Sequence, residues 1–200
     1  NELTFRGTYM FKKIVFITLS IFLSSCSNNS DYKFNGSNMS SYDLDASFEL
    51  KSHEGEIKTV NDFQGYVVAL FFGFTHCPDV CPTSMQELKL IKKKLGQEGK
   101  DFQVLFVTLD PERDNQSLLK QYVPSFDESF IGLTGTKDEI AKIAQQYKIF
   151  HKKVGDGKSY TIDHSSAIYL LDKEGIIRVR HPYGSSVDGI MNDIKHLMSI

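Results

Sequence analysis

The 200-residue sequence has no tryptophan, few prolines and cysteines (five and three), and no excess of basic residues. So few prolines exclude a proline-rich or collagen-like chain, and three cysteines are too few for a small domain built on disulfides. The formal net charge of −2 gives no support to binding of nucleic acid, so no such partner is expected. With 40% hydrophobic and 24% charged residues, the composition is typical of a globular protein of one or two domains.

A targeting signal is predicted near the start of the sequence. Lys12 and Lys13 precede an uncharged apolar run over residues 14–23. As a helix this run would rise about 15 Å, against about 30 Å of bilayer hydrocarbon, so it is too short to span a membrane. Its length is that of a secretory signal core, which predicts a signal peptide over residues 1–25, with residues 1–9 outside the native start.

The sequence Leu23-Ser-Ser-Cys26 follows the apolar run and resembles a bacterial lipoprotein signal, in which the cysteine carries the lipid. This predicts an exported lipoprotein of a bacterial cell envelope, anchored through Cys26, with its head on the extracytoplasmic side. A plain signal peptide with a chance cysteine is the alternative. Residues 26–45 are polar and rich in Ser and Asn, which predicts a lipidated flexible tether.

Residues 46–200 have the alternating patterns of strands and helices. An uninterrupted apolar run over 66–73 predicts a central strand buried on both faces. The other expected elements are hairpins over 48–60 and 167–180, a strand over 102–109, and helices over 85–95, 118–122, 140–147 and 187–197. Asp114 is the expected cap of the second helix, and Thr136 and Glu139 form a capping box before the third.

A βαβ unit followed by a ββα unit predicts a thioredoxin-like α/β sandwich. Relative to that core, the sequence has an added N-terminal β-hairpin and an insertion before the C-terminal β-hairpin. We therefore expect residues 46–200 to form a single domain, with a monomeric head.

Cys77 and Cys81 lie just after the predicted central strand, where sites form in open α/β folds. On a helix, residues four apart have Cβ atoms about 5–6 Å apart, whereas a disulfide requires about 3.8 Å. Two sulfurs bound to one metal ion are about 4 Å apart. This spacing leans toward a metal site, and a redox pair and a structural disulfide remain open.

A metal site would need a third ligand from elsewhere in the chain. His76 adjoins Cys77, but the side chains of directly adjacent residues usually diverge. His164 lies directly before a predicted strand, in a loop that faces the active-site helix in thioredoxin-like sandwiches. Spacing alone leaves His164 open between a ligand and an ordinary core or surface residue.

Four segments resemble the Sco/SenC family: Phe72-Gly-Phe-Thr-His-Cys-Pro-Asp-Val-Cys-Pro82, Val107-Thr-Leu-Asp-Pro-Glu-Arg-Asp114, Gly132-Leu-Thr-Gly135 and Asp163-His-Ser165. The resemblance covers nearly all of residues 46–200. It implies a thioredoxin-like copper-binding protein that helps to assemble the dinuclear copper centre of cytochrome c oxidase subunit II. The implied ligands of Cu(I), and also of Cu(II), are Cys77, Cys81 and His164.

Three functions follow from the resemblance. The first is a copper metallochaperone that serves cytochrome c oxidase subunit II or another copper protein. The second is a membrane-anchored thiol-disulfide oxidoreductase that reduces the cysteines of that copper centre through the pair Cys77 and Cys81. The third is a copper or redox sensor. General thiol oxidoreductases of this fold have a cis-proline opposite the cysteines, and the stretch around His164 has no proline.

Three further features near the predicted site also have competing interpretations. Residues 110–114 are expected to form a turn and a helix cap rather than a docking surface. Asp79, between the cysteines, is either a solvated loop carboxylate or a contact with a partner. Zinc is the alternative metal, although it normally takes a fourth ligand.

Overall fold

The central strand β4 (Val67–Gly73) is buried along its whole length. Residues 67, 69 and 71 pack into one apolar cluster, and residues 68, 70 and 72 pack into a second cluster on the opposite face of the sheet. This alternation follows from the two-residue period of a strand. The computed structural model describes residues 32–157 and 159–200, and within this range it confirms the predicted buried strand.

Ten strands and four α-helices make up the described fold. The strands are β1 (Ser37–Asn38), β2 (Glu49–Ser52), β3 (Ile57–Thr59), β4, β5 (Phe102–Thr108), β6 (Ile131–Thr134), β7 (His151–Val154), β8 (Thr161–His164), β9 (Ala167–Leu171) and β10 (Ile177–Pro182). The helices are α1 (Val80–Leu95), α2 (Gln116–Tyr122), α3 (Lys137–Gln146) and α4 (Val187–Ser199).

Eight strands form one mixed sheet in the order β1-β10-β9-β4-β5-β6-β2-β3. Strands β4, β5 and β6 are parallel, whereas β9 is antiparallel to both β4 and β10. Apolar residues of α1, α2 and α4 pack on one face of the sheet, and those of α3 pack on the other. The predicted thioredoxin-like α/β sandwich is therefore confirmed, with the added hairpin β2–β3 at one edge.

The predicted insertion is the hairpin β7–β8, which forms a separate two-stranded sheet. In this article it is called the histidine hairpin, because β8 ends at His164. Its strands were not predicted from the sequence, since β7 is exposed throughout and has no apolar alternation. Strand β6 was also not predicted from the sequence.

Some residues of the predicted tether contact the head in the part of the chain that the structure describes. Residues 37 and 38 form β1 and pair with β10. The backbone N–H groups of Asn35 and Gly36 donate hydrogen bonds to the buried carboxylate of Asp193, at 3.0 Å. Within the described residues, the segment 35–39 is thus bound to the head rather than flexible. Its polar composition hid these contacts, because they use backbone groups.

The predicted signal peptide and Cys26 lie outside the described residues. In the part of the chain that the structure describes, no helix has the length and apolar character needed to cross a bilayer.

Candidate metal centre

The two cysteines are positioned by the junction of β4 and α1. Strand β4 ends at Gly73, and Cys77 lies in the loop that follows, whereas Cys81 lies in the first turn of α1. Cys81 is fully buried and Cys77 is half-buried. A Cβ atom on Gly73 would lie 2.9 Å from the Cys81 sulfur, so glycine at this position leaves the space that the thiol occupies.

The loop before Cys77 is bound by hydrogen bonds to Asp114, which is fully buried. Its carboxylate accepts hydrogen bonds from the backbone N–H of Thr75 (2.9 Å), the hydroxyl of Thr75 (2.6 Å) and the hydroxyl of Thr108 (2.7 Å). The prediction that Asp114 caps α2 is therefore wrong. Asn115 caps that helix, and its side-chain oxygen accepts from the N–H of Leu118 at 3.0 Å.

His164 approaches the cysteines from the histidine hairpin. Its Nε2 atom lies 3.6 Å from the sulfur of Cys81, and its Nδ1 atom lies 3.1 Å from the carbonyl oxygen of Ser165. A carbonyl only accepts hydrogen bonds, so Nδ1 carries a proton, and in the neutral ring Nε2 is then the atom whose lone pair can bind a metal. The ring of Phe74 packs edge-on against the imidazole, with 5.8 Å between ring centroids.

The ligand atoms of Cys77, Cys81 and His164 all lie within 4.8 Å of one another. Among residues 32–157 and 159–200, no other group of three or more His, Cys, Asp or Glu side chains could hold a metal ion. Both cysteines are free thiols in the structure. The structure thus brings together all three residues singled out for the predicted site.

The two sulfurs differ strongly in acidity. A hydrogen bond from Cys81, together with the backbone N–H groups of Asp79 and Cys81, lowers the pKa of Cys77 to about 5. The same sulfur–sulfur hydrogen bond and burial raise the pKa of Cys81 well above its usual value. At neutral pH the reduced pair therefore holds one thiolate, Cys77, and one thiol, Cys81.

Three other side chains near the site lie outside the group of ligand atoms. His76 is half-exposed, and its Nδ1 atom lies 3.0 Å from the Thr75 hydroxyl rather than within the ligand group. Asp79 is exposed, and Tyr160 is buried in the same apolar cluster as Phe74. For Tyr160 the sequence leaves open a place beside the site or in the core, and its buried position in this cluster agrees with both. The role of Asp114 in holding the Thr75 loop is not predicted from the sequence, although Asp114 lies in the motif at 107–114.

Comparison with known proteins gives concordant results. A family described as SCO1/SenC matches residues 37–199. The chain is 40% identical to an SCO2-like protein of Rickettsia prowazekii over 131 residues, which cover 64% of this chain and 64% of that protein. It is 35% identical to the mitochondrial SCO2 homolog of Bos taurus over 156 residues, which cover 76% of this chain and 59% of that protein. The chain therefore spans about six-tenths of the length of these relatives.

Among solved structures, ScoI of Arabidopsis thaliana with copper bound is 32% identical and superposes with a TM-score of 0.72. The match covers 77% of this chain and 98% of that chain. Because the family match covers most of the 200 residues and the fold agrees, the chain belongs to the SCO1/SenC family.

Proposed function

We propose that this protein binds copper through the sulfurs of Cys77 and Cys81 and the Nε2 atom of His164. It then delivers the metal to the dinuclear copper centre of cytochrome c oxidase. The observation that carries the proposal is the cluster of these three donor atoms within 4.8 Å. The copper-bound structure of the Arabidopsis ScoI supports it, since that relative has the same fold.

The donor set suits Cu(I) as the cargo. Thiolates are soft ligands that select Cu(I), and imidazole is an acceptable third donor. Two thiolates, one neutral imidazole and one Cu(I) ion sum to a charge of −1, which the positive end of the α1 dipole favours. Zinc normally takes four ligands, and the described group supplies three.

The exposure of the donors suits a transfer protein. Cys81 is fully buried, whereas Cys77 and His164 are half-buried and border the solvent. A metal held by three ligands leaves one side open to a ligand of the recipient. Copper can then leave by ligand exchange on the solvent side, with Cys81 as the innermost donor.

Copper binding is coupled to one proton in this scheme. Cys77 is already a thiolate at neutral pH, while Cys81 must lose its proton to become a ligand. Acid reverses this step, because protons compete with copper for both sulfurs. Binding is therefore expected to weaken as the pH falls.

Export and anchoring are part of the proposal. The segment over residues 14–26 supports a lipoprotein whose lipid is attached to Cys26, in a bacterial cell envelope, with the metal centre on the extracytoplasmic side. Mass spectrometry of the protein extracted from membranes tests this directly. A lipid-modified Cys26 at the mature N-terminus is the expected result, and an unmodified thiol contradicts it.

The metal site is tested by titrating the reduced protein with Cu(I) against a competing chelator. Replacing Cys77 or Cys81 with Ser is expected to abolish tight binding, and His164→Ala is expected to weaken it. His76→Ala is the matched control, because it removes a histidine next to Cys77 that lies outside the ligand group, and it is expected to leave the affinity unchanged. Unchanged affinity in His164→Ala would exclude the three-ligand site.

Delivery is tested by following oxidase maturation in cells that carry each variant. Loss of the copper centre with His164→Ala supports delivery of the metal, since that variant keeps both thiols. If His164→Ala binds no copper and still matures the oxidase, the protein acts as a thiol reductant instead.

A further inference from the structure

The segment Asp110–Asp114, which joins β5 to α2, contains two of the few buried acidic side chains in the described chain. It is called the connecting loop below. Asp110 is 3% exposed and Asp114 is fully buried. Carboxylates are rarely buried to this extent unless they have several hydrogen-bond partners. Asp114 is bonded to the segment before Cys77, and Asp110 is bonded to the residue directly before β8.

One end of the connecting loop holds the cysteine side of the site. Asp114 accepts two hydrogen bonds from Thr75, two residues before Cys77, at 2.9 and 2.6 Å. The hydroxyl of Thr108 fixes the same carboxylate from β5, at 2.7 Å. The loop that carries Cys77 is therefore bound to the last residue of the connecting loop.

The other end of the connecting loop holds the histidine hairpin. Tyr160, directly before β8, donates its phenolic hydrogen bond to Asp110 at 2.6 Å. Arg113 donates from Nη1 to the carbonyl oxygen of Tyr160 at 2.9 Å, and its Nε atom is paired with Asp110. Burial and the bond to Asp110 raise the pKa of Tyr160 to about 12, so the phenol stays protonated as a donor.

The ring of Tyr160 also ties both strands of the hairpin to this loop. The guanidinium carbon of Arg113 and the Nζ atom of Lys153 each lie 3.6 Å from the ring centroid. Two cations so near one centroid must lie on opposite faces of the ring. Lys153 belongs to β7, so the stack binds β7 as well as β8 to the connecting loop.

Besides the contacts of Tyr160, an ion pair joins Lys153 to Glu112 of the connecting loop at 3.3 Å, and hydrogen bonds join Phe150 and Ser165 at the base of the hairpin. Strand β7 is exposed along its length and pairs with β8 alone among the described strands. On β8, Ile162 is buried and His164 is half-buried. The contacts of Tyr160 are therefore a main constraint on the position of His164 relative to Cys81.

We infer that the connecting loop sets the distance between His164 and the two cysteines, with Arg113 and Tyr160 as positioning residues for the third ligand. One segment binds both halves of the centre, so a change in the Arg113 contacts moves the imidazole and leaves the cysteines in place. The inference rests on the proposed function only where it is tested by Cu(I) binding; the contacts themselves can be tested without the metal.

The test is a double-mutant cycle on Cu(I) affinity with Arg113→Lys and His164→Ala. Arg113→Lys keeps the charge and loses the planar fork that holds Asp110 and Tyr160. It is expected to weaken Cu(I) binding by about 10-fold in the otherwise unchanged protein, the lower end of effects from groups that orient ligands. It is expected to have no further effect when His164 is already Ala. An equal additional loss in the His164→Ala background would overturn the inference.

Arg178→Lys is the matched control, because Arg178 pairs with the buried Asp172 away from the histidine hairpin. It is expected to leave Cu(I) affinity unchanged. Tyr160→Phe keeps the ring between the cations and loses the hydrogen bond to Asp110, so a smaller loss of affinity is expected. If Arg178→Lys weakens binding as much as Arg113→Lys does, the effect is general and the assignment is wrong.

Hydrogen exchange of the reduced, copper-free protein tests the same contacts without the metal. The amides of β8 should exchange faster in Arg113→Lys than in the unchanged protein, and those of β4 should not. Equal exchange of β8 in both proteins contradicts the inference. A chain that binds no Cu(I) refutes the proposed function, whereas the exchange result still decides whether the loop holds the hairpin.

Discussion

The cysteine side and the histidine side of the metal centre are held in different ways. The cysteines lie between a strand and a helix of the core, and Cys81 is packed against buried side chains. The histidine hairpin projects from the main sheet, and its strand β7 is fully exposed. Both sides have buried polar contacts, at Asp114 and at Asp110. The cysteine side is in addition built into a strand–helix junction of the core, whereas the histidine side is carried by a hairpin with one fully exposed strand. The two sides should therefore respond differently to the same kind of change.

The largest expected effect is on the cysteine side, from Asp114→Ala. The substitution leaves two donors of Thr75 and one of Thr108 without their partner, and each buried unpaired group costs about 1–3 kcal/mol. We expect the free energy of unfolding, measured in urea, to fall by about 3 kcal/mol, most of it from the buried Thr108 hydroxyl, since water can reach the part-buried donors of Thr75. Glu128→Ala, at an exposed position, is the control and should change stability by less than about 0.5 kcal/mol. A similar small change in Asp114→Ala would show that the carboxylate does not support the loop.

The next effect concerns the acidity of Cys77. With a pKa of about 5, it should react with iodoacetamide along a pH profile centred near 5, because the thiolate is the reactive form above its pKa. At pH 7 its thiolate fraction is on the order of 100-fold above that of a thiol with the ordinary pKa of 9.0. Cys81→Ala removes the sulfur–sulfur hydrogen bond, so the midpoint should rise toward the ordinary value of 9.0. A midpoint near 9 in the unchanged protein would contradict the proposed pairing of the sulfurs.

A smaller loss is expected from Gly73→Ala, again on the cysteine side. The added methyl group would lie 2.9 Å from the Cys81 sulfur and 3.0 Å from ring atoms of Phe71 and Phe106. Overpacking of this kind costs about 1–3 kcal/mol. Urea unfolding should show this loss, and Cu(I) titration should show weaker binding because the sulfur must move. Wild-type stability and affinity together would show that the space beside Cys81 is not tightly filled.

The smallest effect is expected on the histidine side, from two residues inserted after Asp156 at the exposed tip of the hairpin. Lengthening a flexible loop costs little, and each doubling costs about 0.6 kcal/mol. Stability in urea and Cu(I) affinity should both remain close to those of the unchanged protein. The same insertion after His76, in the cysteine loop, should abolish tight copper binding. Equal tolerance at both positions would remove the distinction between the two sides.

Much of the fold could be predicted from the sequence, for reasons that differ between elements. The run over β4 is apolar on both faces, which identifies a central strand. The capping box of Thr136 and Glu139 marks the start of α3, and the structure confirms it. Strand β1 could not be predicted, because it has only two polar residues and its partner β10 is distant in the chain. The histidine hairpin pairs locally, but its strands are mostly polar and β7 is exposed throughout, so the sequence has no apolar alternation there.

The candidate site could likewise be predicted only in part from the sequence. The spacing of Cys77 and Cys81 was informative, because both lie at one strand–helix junction. Asp114 looked like a helix cap, since a carboxylate just before a helix often has that role. Its real partner, Thr75, lies 39 residues earlier in the chain, and the sequence carries no signal of that pairing.

The sequence by itself determined the core strand, the cysteine pair at its end and the motifs of the SCO1/SenC family, because these depend on local pattern and spacing. Only the tertiary structure decided which cysteine is the acidic one and how His164 reaches them. The first depends on burial and on which sulfur donates to the other. The second depends on contacts between segments about 50 residues apart, such as Tyr160 with Asp110, which form only when the chain is folded.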